Sequence, residues 1–342
     1  MNKQGENGIP YCDYTWNPVV GCLHRCSYCF AERIAKRFNG SKAFPKGFNP
    51  TFHEDRLAEP FKIKKPSRIF VSDMGDLFGD WVLRSWVDSV LNIVKECPQH
   101  TFLFLTKNPK RYREFEFSEN AWLGTSVENQ AAADERILLL LQTPAAVRFI
   151  SAEPLLGPIN LFNIGFNGIE PLSALGRCSY HTHLFKHECL CNSPRQAGIN
   201  WVIAGGESGQ GARPLHPDWA RSLRDQCQVA GTKFFFKQWG EWIPDGPGCG
   251  GPSHWSSKFY SPKHGPNPNW NPEFGGKPIH IYEGGKGEAS IRVGKKKAGR
   301  ELDGVTWDEM PEIGGQKCIN AEIHSARIQK LSSISTFDNA GT

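Results

Sequence analysis

Short apolar runs alternate with amphipathic stretches along residues 1–240 of this 342-residue chain. The apolar runs predict strands at 15–21, 68–72, 101–106, 121–127, 146–151, 199–204 and 232–237. The amphipathic stretches predict helices at 31–38, 81–96, 129–142 and 216–230. Strands that alternate with helices favour an α/β fold with parallel strands, and about seven such units suit a complete or partial (β/α) barrel. A doubly wound open sheet is the alternative.

Two stretches interrupt this alternation. Residues 163–198 lie between two predicted strands and are too long for an ordinary loop, so we interpret them as an insertion. Residues 241–342 are dense in glycine, proline and tryptophan at first and predict an irregular C-terminal extension. The expected organisation is therefore a barrel core over 1–240 that carries the insertion, followed by the extension over 241–342.

Three of the eleven cysteines fall within eight positions, at Cys22, Cys26 and Cys29. No secretory signal precedes them, and clustered cysteines in a reducing compartment are more often metal ligands than disulfide partners. Three thiolates on a [4Fe-4S] cluster would leave one iron open to bind another molecule. A zinc site with a remote fourth ligand and three ordinary thiols are the alternatives.

The CxxxCxxC spacing, with an aromatic residue before the last cysteine, resembles the motif of the radical S-adenosylmethionine superfamily. The wider sequence resembles a phage-associated radical-SAM family of uncharacterised function, which is distantly similar to spore photoproduct lyase-like proteins. The stretches that carry this resemblance are TWNPVVGCLHRCSYCFAERIAKRF, VSDMGDLFGD, GTSVEN, SAEPLLG, WVIAGGESG, FFFKQWGEW and RVGKKKAGRELDG.

The resemblance implies a reaction. The open iron of the cluster would bind the amino and carboxylate groups of S-adenosylmethionine, and one electron would cleave the sulfonium. The resulting 5′-deoxyadenosyl radical would abstract hydrogen from a substrate, while the protein orients the reactants and excludes side reactions. The electron would come from a donor of the flavodoxin or ferredoxin type.

Polar residues follow most of the predicted strands, where a βα barrel carries its functional groups. The resemblance implies that Asp73, Gly75 and Asp76 bind the amino group of S-adenosylmethionine. It implies further cofactor contacts at Phe30, Ser126, Glu128 and Asn129. Glu153 at a strand end, and Gly205, Gly206 and Glu207, where a glycine pair lets the backbone approach a ligand, are further candidate cofactor contacts. Candidate substrate contacts are Lys107, Lys237 and Gln238. Turns, helix caps, core packing and surface solvation are the alternatives for these positions.

A second group of metal-ligating residues lies in the insertion. Its members are Cys178, His181, His183, His187, Cys189 and Cys191. Soft and borderline ligands at this density suit zinc, although the Cys189-x-Cys191 spacing is tighter than in most zinc sites. An auxiliary iron–sulfur cluster and a loop without metal are the alternatives.

The sequence is compatible with more than one class of substrate. Lysine and arginine exceed the acidic residues by 5, and several basic residues follow one another near Trp307, namely Arg292, Lys295, Lys296, Lys297 and Arg300. Such a segment suits nucleic acid, which is one candidate substrate; a solvated basic loop is the alternative. A peptide or small metabolite is the second candidate, and a non-catalytic iron–sulfur protein is a third interpretation. Without an apolar run of about 20 residues, we expect a cytoplasmic protein with no membrane partner.

Overall fold

A largely parallel sheet of eight strands lies at the centre of the structure, which is a computed structural model. It describes residues 1–5, 8–165, 173–176, 198–245, 260–261, 265–266, 273–274, 277–282 and 289–312. Residues Met1–Pro311 form one compact unit, and of the second unit, Glu312–Thr342, the structure describes only Glu312.

The described strands are β1 Asn2–Lys3, β2 Tyr14–Trp16, β3 Val19–Val20, β4 Thr51–Phe52, β5 Arg68–Val71, β6 Thr101–Thr106, β7 Ala121–Ser126, β8 Val147–Ala152, β9 Trp201–Gly205, β10 Lys233–Gln238, β11 Trp242–Asp245, β12 Tyr260–Ser261, β13 Gly265–Pro266, β14 Glu273–Phe274, β15 Lys277–Ile281, β16 Ala289–Arg292, β17 Glu301–Leu302 and β18 Val305–Thr306. The described α-helices are α1 Phe30–Arg37, α2 Arg84–Glu96, α3 Gln130–Leu141, α4 Pro217–Ala230 and α5 Lys295–Ala298. Short 3-10 helices occupy Glu54–Arg56, Pro60–Lys62 and Pro109–Glu114.

The central sheet has the order β1-β2-β5-β6-β7-β8-β9-β10. Strand β1 is antiparallel to β2, and all later pairs are parallel. Because β2 and β5 to β10 lie side by side in chain order, the sheet lacks the reversal of order that defines a doubly wound fold. The mixed α/β architecture is therefore consistent with the predicted partial barrel.

Alternate residues of each strand supply two different layers. In β10, Phe234 and Phe236 belong to the large core that also contains Ala220 and Leu223 of α4. Phe235, between them, belongs to a second cluster on the opposite face of the sheet. Both faces of the sheet are thus apolar, which explains the nearly continuous hydrophobic runs in the sequence.

The second cluster indicates that the sheet is curved. The ring of Tyr11 lies with its centroid 6.2 Å from that of Phe70 in β5 and 5.6 Å from that of Phe235 in β10. In a flat sheet these strands would be five spacings apart, about 24 Å at about 4.8 Å per spacing. One aromatic ring can meet both only if the sheet wraps around it, as the interior of a partial barrel does.

Two local predictions differ from the structure. The predicted strand at 15–21 is divided into β2 and β3 around Asn17 and Pro18, since proline cannot donate a hydrogen bond to a neighbouring strand. The extension, predicted to be irregular, contains an antiparallel sheet of order β11-β16-β15-β14. Its strands have two to five residues, too few to produce a recognisable periodicity in the sequence.

A candidate cysteine centre at the mouth of the barrel

The three-cysteine loop joins the sheet at the carboxyl ends of its strands. It follows β3, and Gly21, which precedes Cys22, forms an isolated parallel bridge with Gly75 beyond the end of β5. The Gly21 amide donates to the Met74 carbonyl at 2.9 Å, and the Cys22 amide donates to the Phe48 carbonyl at 3.1 Å. The loop is therefore fixed at the mouth of the barrel at its first residue.

All three cysteines are free thiols and are half-buried. Cys29 is the N-cap of α1, where its sulfur accepts from the Glu32 amide at 3.3 Å. The Cys22 sulfur accepts from the His24 amide at 3.5 Å. Burial raises the pKa of Cys22 to about 12 and also raises the pKa of Cys29. The neighbouring Cys26 thiol adds to both increases. The loop thus brings three thiols together at the mouth of the barrel.

The three thiols are a candidate donor set for an iron–sulfur cluster. In the part of the chain that the structure describes, no three histidine, cysteine or acidic side chains are grouped to hold one metal ion. A four-iron cluster binds its thiolates through different irons, so its ligands need not converge on one point. Three thiols on one short loop, with α1 directing its amides toward them, are compatible with such a negatively charged group.

The contact between Gly21 and Gly75 requires a residue without a side chain. A Cβ atom on Gly75 would lie 2.8 Å from the Gly21 carbonyl oxygen, which is a backbone atom. Gly21 itself has a φ of +87°, in the region that favours glycine. The cysteine loop can therefore approach the end of β5 only with glycine at both positions.

We expect Gly75→Ala to displace the loop and lower the free energy of unfolding by about 1–3 kcal/mol, the usual cost of overpacking. Iron retained after reconstitution should fall with it. Denaturant titration and iron analysis measure the two effects. Gly5→Ala is the control, because nothing lies within 4 Å of a Cβ there. Equal stability and iron content in both variants would contradict this role of Gly75.

Asp76, at the end of the β5 segment, is buried and surrounded by donors. Its carboxylate accepts from the Thr106 hydroxyl at 2.8 Å and from the Phe78 and Lys107 amides at 3.0 and 3.1 Å. His24 of the cysteine loop lies 2.9 Å from the same carboxylate. Asp76 therefore ties the cysteine loop to the ends of β5 and β6.

Asp73 lies three residues before Asp76. Its carboxylate accepts from the Asn17 side-chain amide at 2.6 Å, and the Asn17 oxygen accepts from the Met74 amide at 3.0 Å. Burial raises the pKa of Asp73, while the bond from Asn17 opposes the increase. The next α-helix begins only at Arg84, with Leu83 as its N-cap, so Asp73 is not a helix cap.

A charged group connects the cysteine loop to the ends of β6 and β7. The Tyr28 hydroxyl donates to Glu128 at 2.6 Å and accepts from Lys107 at 2.8 Å. Glu128 is buried, forms an ion pair with Lys107, and accepts from Arg136 of α3 at 3.0 Å. Burial lowers the pKa of Lys107 to about 8 and raises the pKa of Tyr28. Two cations thus share one carboxylate close to Cys26.

The last two strands contribute two further ion pairs. Glu207, after β9, is buried and accepts from Arg213 at 2.7 Å. Lys237 of β10 donates to Glu153, beyond β8, at 2.8 Å, and Gln238 donates to the same carboxylate at 3.3 Å. Gly205 and Gly206 lie between these pairs at the end of β9. The mouth is therefore lined by alternating acidic and basic groups.

The structure brings most of the predicted residues to this mouth. Asn129 lies beside it as the N-cap of α3 and accepts from the Ala132 amide at 3.0 Å, which agrees with the capping alternative. The Ser126 carbonyl accepts from Arg136 at 2.9 Å. Phe30 begins α1 but is 48% exposed, so its ring is not enclosed by the mouth.

The predicted second metal site lies outside the described residues. Its members are Cys178, His181, His183, His187, Cys189 and Cys191.

Sequence reasoning missed several residues of the mouth. Tyr28, His24, Asn17, Arg136 and Arg213 all contact the predicted carboxylates. Tyr28 could have been chosen from its place directly before Cys29, whereas Arg136 and Arg213 lie in helix and loop segments without a distinguishing pattern.

Fold and site together define a mixed α/β protein with three free thiols at the carboxyl edge of a largely parallel, curved sheet. A family model described as "Protein of unknown function (DUF5131)" matches residues 6–311. The chain belongs to this family. None of the curated proteins matches the sequence.

Two solved structures illustrate what the chain is similar to. Spore photoproduct lyase complexed with dinucleoside spore photoproduct is 12% identical, with 44% of this chain and 48% of that chain covered and a TM-score of 0.30. The chain thus spans about half the length of that protein. A double mutant of the lyase with bound AdoMet and dinucleoside spore photoproduct is 9% identical, with 83% and 69% covered and a TM-score of 0.36.

None of the helices in the described ranges has the length and apolar character needed to cross a membrane.

Proposed function

We propose that this chain is a radical S-adenosylmethionine enzyme. The observation that carries the proposal is the set of three free thiols, Cys22, Cys26 and Cys29, on a loop fixed at the mouth of the barrel. Their spacing resembles the superfamily motif, and the carboxyl ends of parallel strands are where such folds place their chemistry.

The three thiolates would hold a [4Fe-4S] cluster. When bound, the cluster supplies the electron that cleaves S-adenosylmethionine into methionine and a 5′-deoxyadenosyl radical. The protein's part is to bind and orient the cosubstrate and to keep water from the reacting atoms. An external one-electron donor of the flavodoxin or ferredoxin type is part of this proposal.

Charge complementarity supports cosubstrate binding at the mouth. The cosubstrate carries an ammonium, a sulfonium and a carboxylate. Asp73 and Glu153 would suit the cationic groups, while Lys107 and Arg213 would suit the carboxylate. The ends of β7 and β9, with Ser126, Glu128, Asn129 and Gly205–Glu207, would supply the contacts to the ribose and adenine.

Spectroscopy of the reduced protein tests cosubstrate binding directly. The full chain is reconstituted anaerobically with iron and sulfide, reduced with dithionite, and examined by electron paramagnetic resonance with and without S-adenosylmethionine. A reduced-cluster signal that changes when the cosubstrate is added is the expected result. A signal that the cosubstrate leaves unchanged would contradict the proposal.

A further inference from the structure

Two arginines from distant parts of the chain meet at the loop that follows β9. Arg33 of α1 donates to the Ser208 carbonyl at 3.1 Å. Arg292, at the end of β16, donates to the next carbonyl, that of Gly209, also at 3.1 Å. The two guanidinium groups therefore bind consecutive carbonyls of one loop at the rim of the mouth, directly after Glu207.

Each guanidinium has five N–H donors, and the bond to the loop uses one of them. The two carboxylates next to the loop have other partners than these arginines. Glu207 pairs with Arg213, and Glu241 accepts from the Gly209 amide at 2.9 Å. The arginines thus keep donors for another acceptor.

Lys295 adds a third cation to this rim. Lys295 is exposed, and desolvation of its ammonium and the neighbouring charge of Lys237 lower the pKa of Lys295, while Glu153 and Glu241 act in the opposite direction. Glu153 itself is held by Lys237 at 2.8 Å. Lys295 therefore lies among the same charged groups that pair at the end of β10.

The segment that carries Arg292 and Lys295 is firmly attached to the barrel. The Gly294 amide donates to the Glu241 carbonyl at 3.0 Å, and the Trp239 amide donates to the Gly299 carbonyl at 3.1 Å. Ala298, in the same short helix, is buried in the main core. These contacts fix the position of the basic segment relative to β10.

We propose that Arg33, Arg292 and Lys295 bind a phosphate group of the substrate at the rim of the mouth. Guanidinium groups match phosphate oxygens in pairs, and a lysine adds a point charge. The inference rests on the proposed function, since it names the substrate class of the same mouth. Mononucleotides and polynucleotides both contain such a phosphate group, and separate probes distinguish the two.

Binding measurements with the full chain test the site. The probes are fluorescein-labelled single strands of about 12 nucleotides, one of DNA and one of RNA. Their binding is measured by fluorescence anisotropy at low salt. Adenosine 5′-monophosphate and inorganic phosphate test whether the site binds a small phosphate compound. Each is measured as a competitor of the labelled strand and by direct calorimetric titration. The variants are Arg33→Gln, Arg292→Gln and the double variant. Lys233→Gln is the matched control, because that exposed lysine lies at the opposite end of β10.

We expect the double variant to weaken binding by about 10- to 100-fold and each single variant by about tenfold or less, in the range for charge-assisted bonds. The control should remain within about twofold of the wild type. For a bound strand, each arginine removed should lower the salt slope by about 0.7. If only adenosine 5′-monophosphate binds, and the variants weaken its binding in the same way, the site binds a mononucleotide.

Equal affinity in the double variant and the control would overturn the site, as would the absence of binding to every probe. A lower melting temperature with unchanged affinity would also overturn it, because the arginines would then only support the loop. Formation of 5′-deoxyadenosine is measured separately in the wild type. Its absence would overturn the proposed function while leaving the binding result to stand.

Discussion

Cys26→Ala is expected to abolish loading of the barrel-mouth cluster. Cys26 is the most informative of the three ligands, because Cys29 also caps α1 and its loss would disturb the helix. The Cys26 thiol lies beside Tyr28 and Lys107, whose pKa values it affects, so it faces the mouth. The variant should retain the fold and lose about four irons per chain relative to the wild type.

Metal and sulfide analysis after anaerobic reconstitution measures this loss. Zinc is determined in the same samples, because Cys178, His183, His187, Cys189 and Cys191 are a separate candidate zinc site. Cys97→Ala and Cys227→Ala are the controls, since both thiols are buried in the main core. If Cys26→Ala holds as much iron and sulfide as these controls, the three-cysteine loop is not the cluster site.

Glu128→Ala is expected to reduce the free energy of unfolding by about 3–5 kcal/mol, the usual effect of removing one partner from a buried ion pair. The change would leave the half-buried ammonium of Lys107 and the guanidinium of Arg136 without their shared carboxylate. It would also remove the acceptor of the Tyr28 hydroxyl. Chemical denaturation of the two proteins measures the difference.

Glu135→Ala provides a matched control for this prediction. Glu135 pairs with the same Arg136, at 3.8 Å, but its side chain is 63% exposed. An exposed pair of this kind contributes about 0–1 kcal/mol. A loss of stability in Glu128→Ala no greater than in Glu135→Ala would contradict the role of Glu128 as the central carboxylate of the mouth.

The sequence was most informative where local pattern decides structure. The strand predicted at 101–106 has the observed bounds, and the helix predicted at 129–142 differs by one residue at each end. In both, the apolar periodicity reflects which face is buried, and burial is what stabilises the element. The short strands of the extension escaped prediction because pairing between distant segments, such as β11 with β16, stabilises them.

Side-chain pairing at the mouth was less predictable. No local pattern in the sequence predicted that Asp76 accepts from Thr106 and from neighbouring amides. Arg136 reaches Glu128 because α3 packs behind the end of β7, a relation that only the tertiary fold specifies. The position of a carboxylate could be read from a strand end, but its partner could not.

Formation of 5′-deoxyadenosine is the decisive test of whether this chain cleaves S-adenosylmethionine. The reconstituted full chain is incubated anaerobically with dithionite and S-adenosylmethionine, and the products are separated by chromatography with Cys26→Ala in parallel. We expect 5′-deoxyadenosine and methionine from the wild type and neither above background from the variant. A wild-type protein that carries its full cluster and forms no 5′-deoxyadenosine would contradict this expectation.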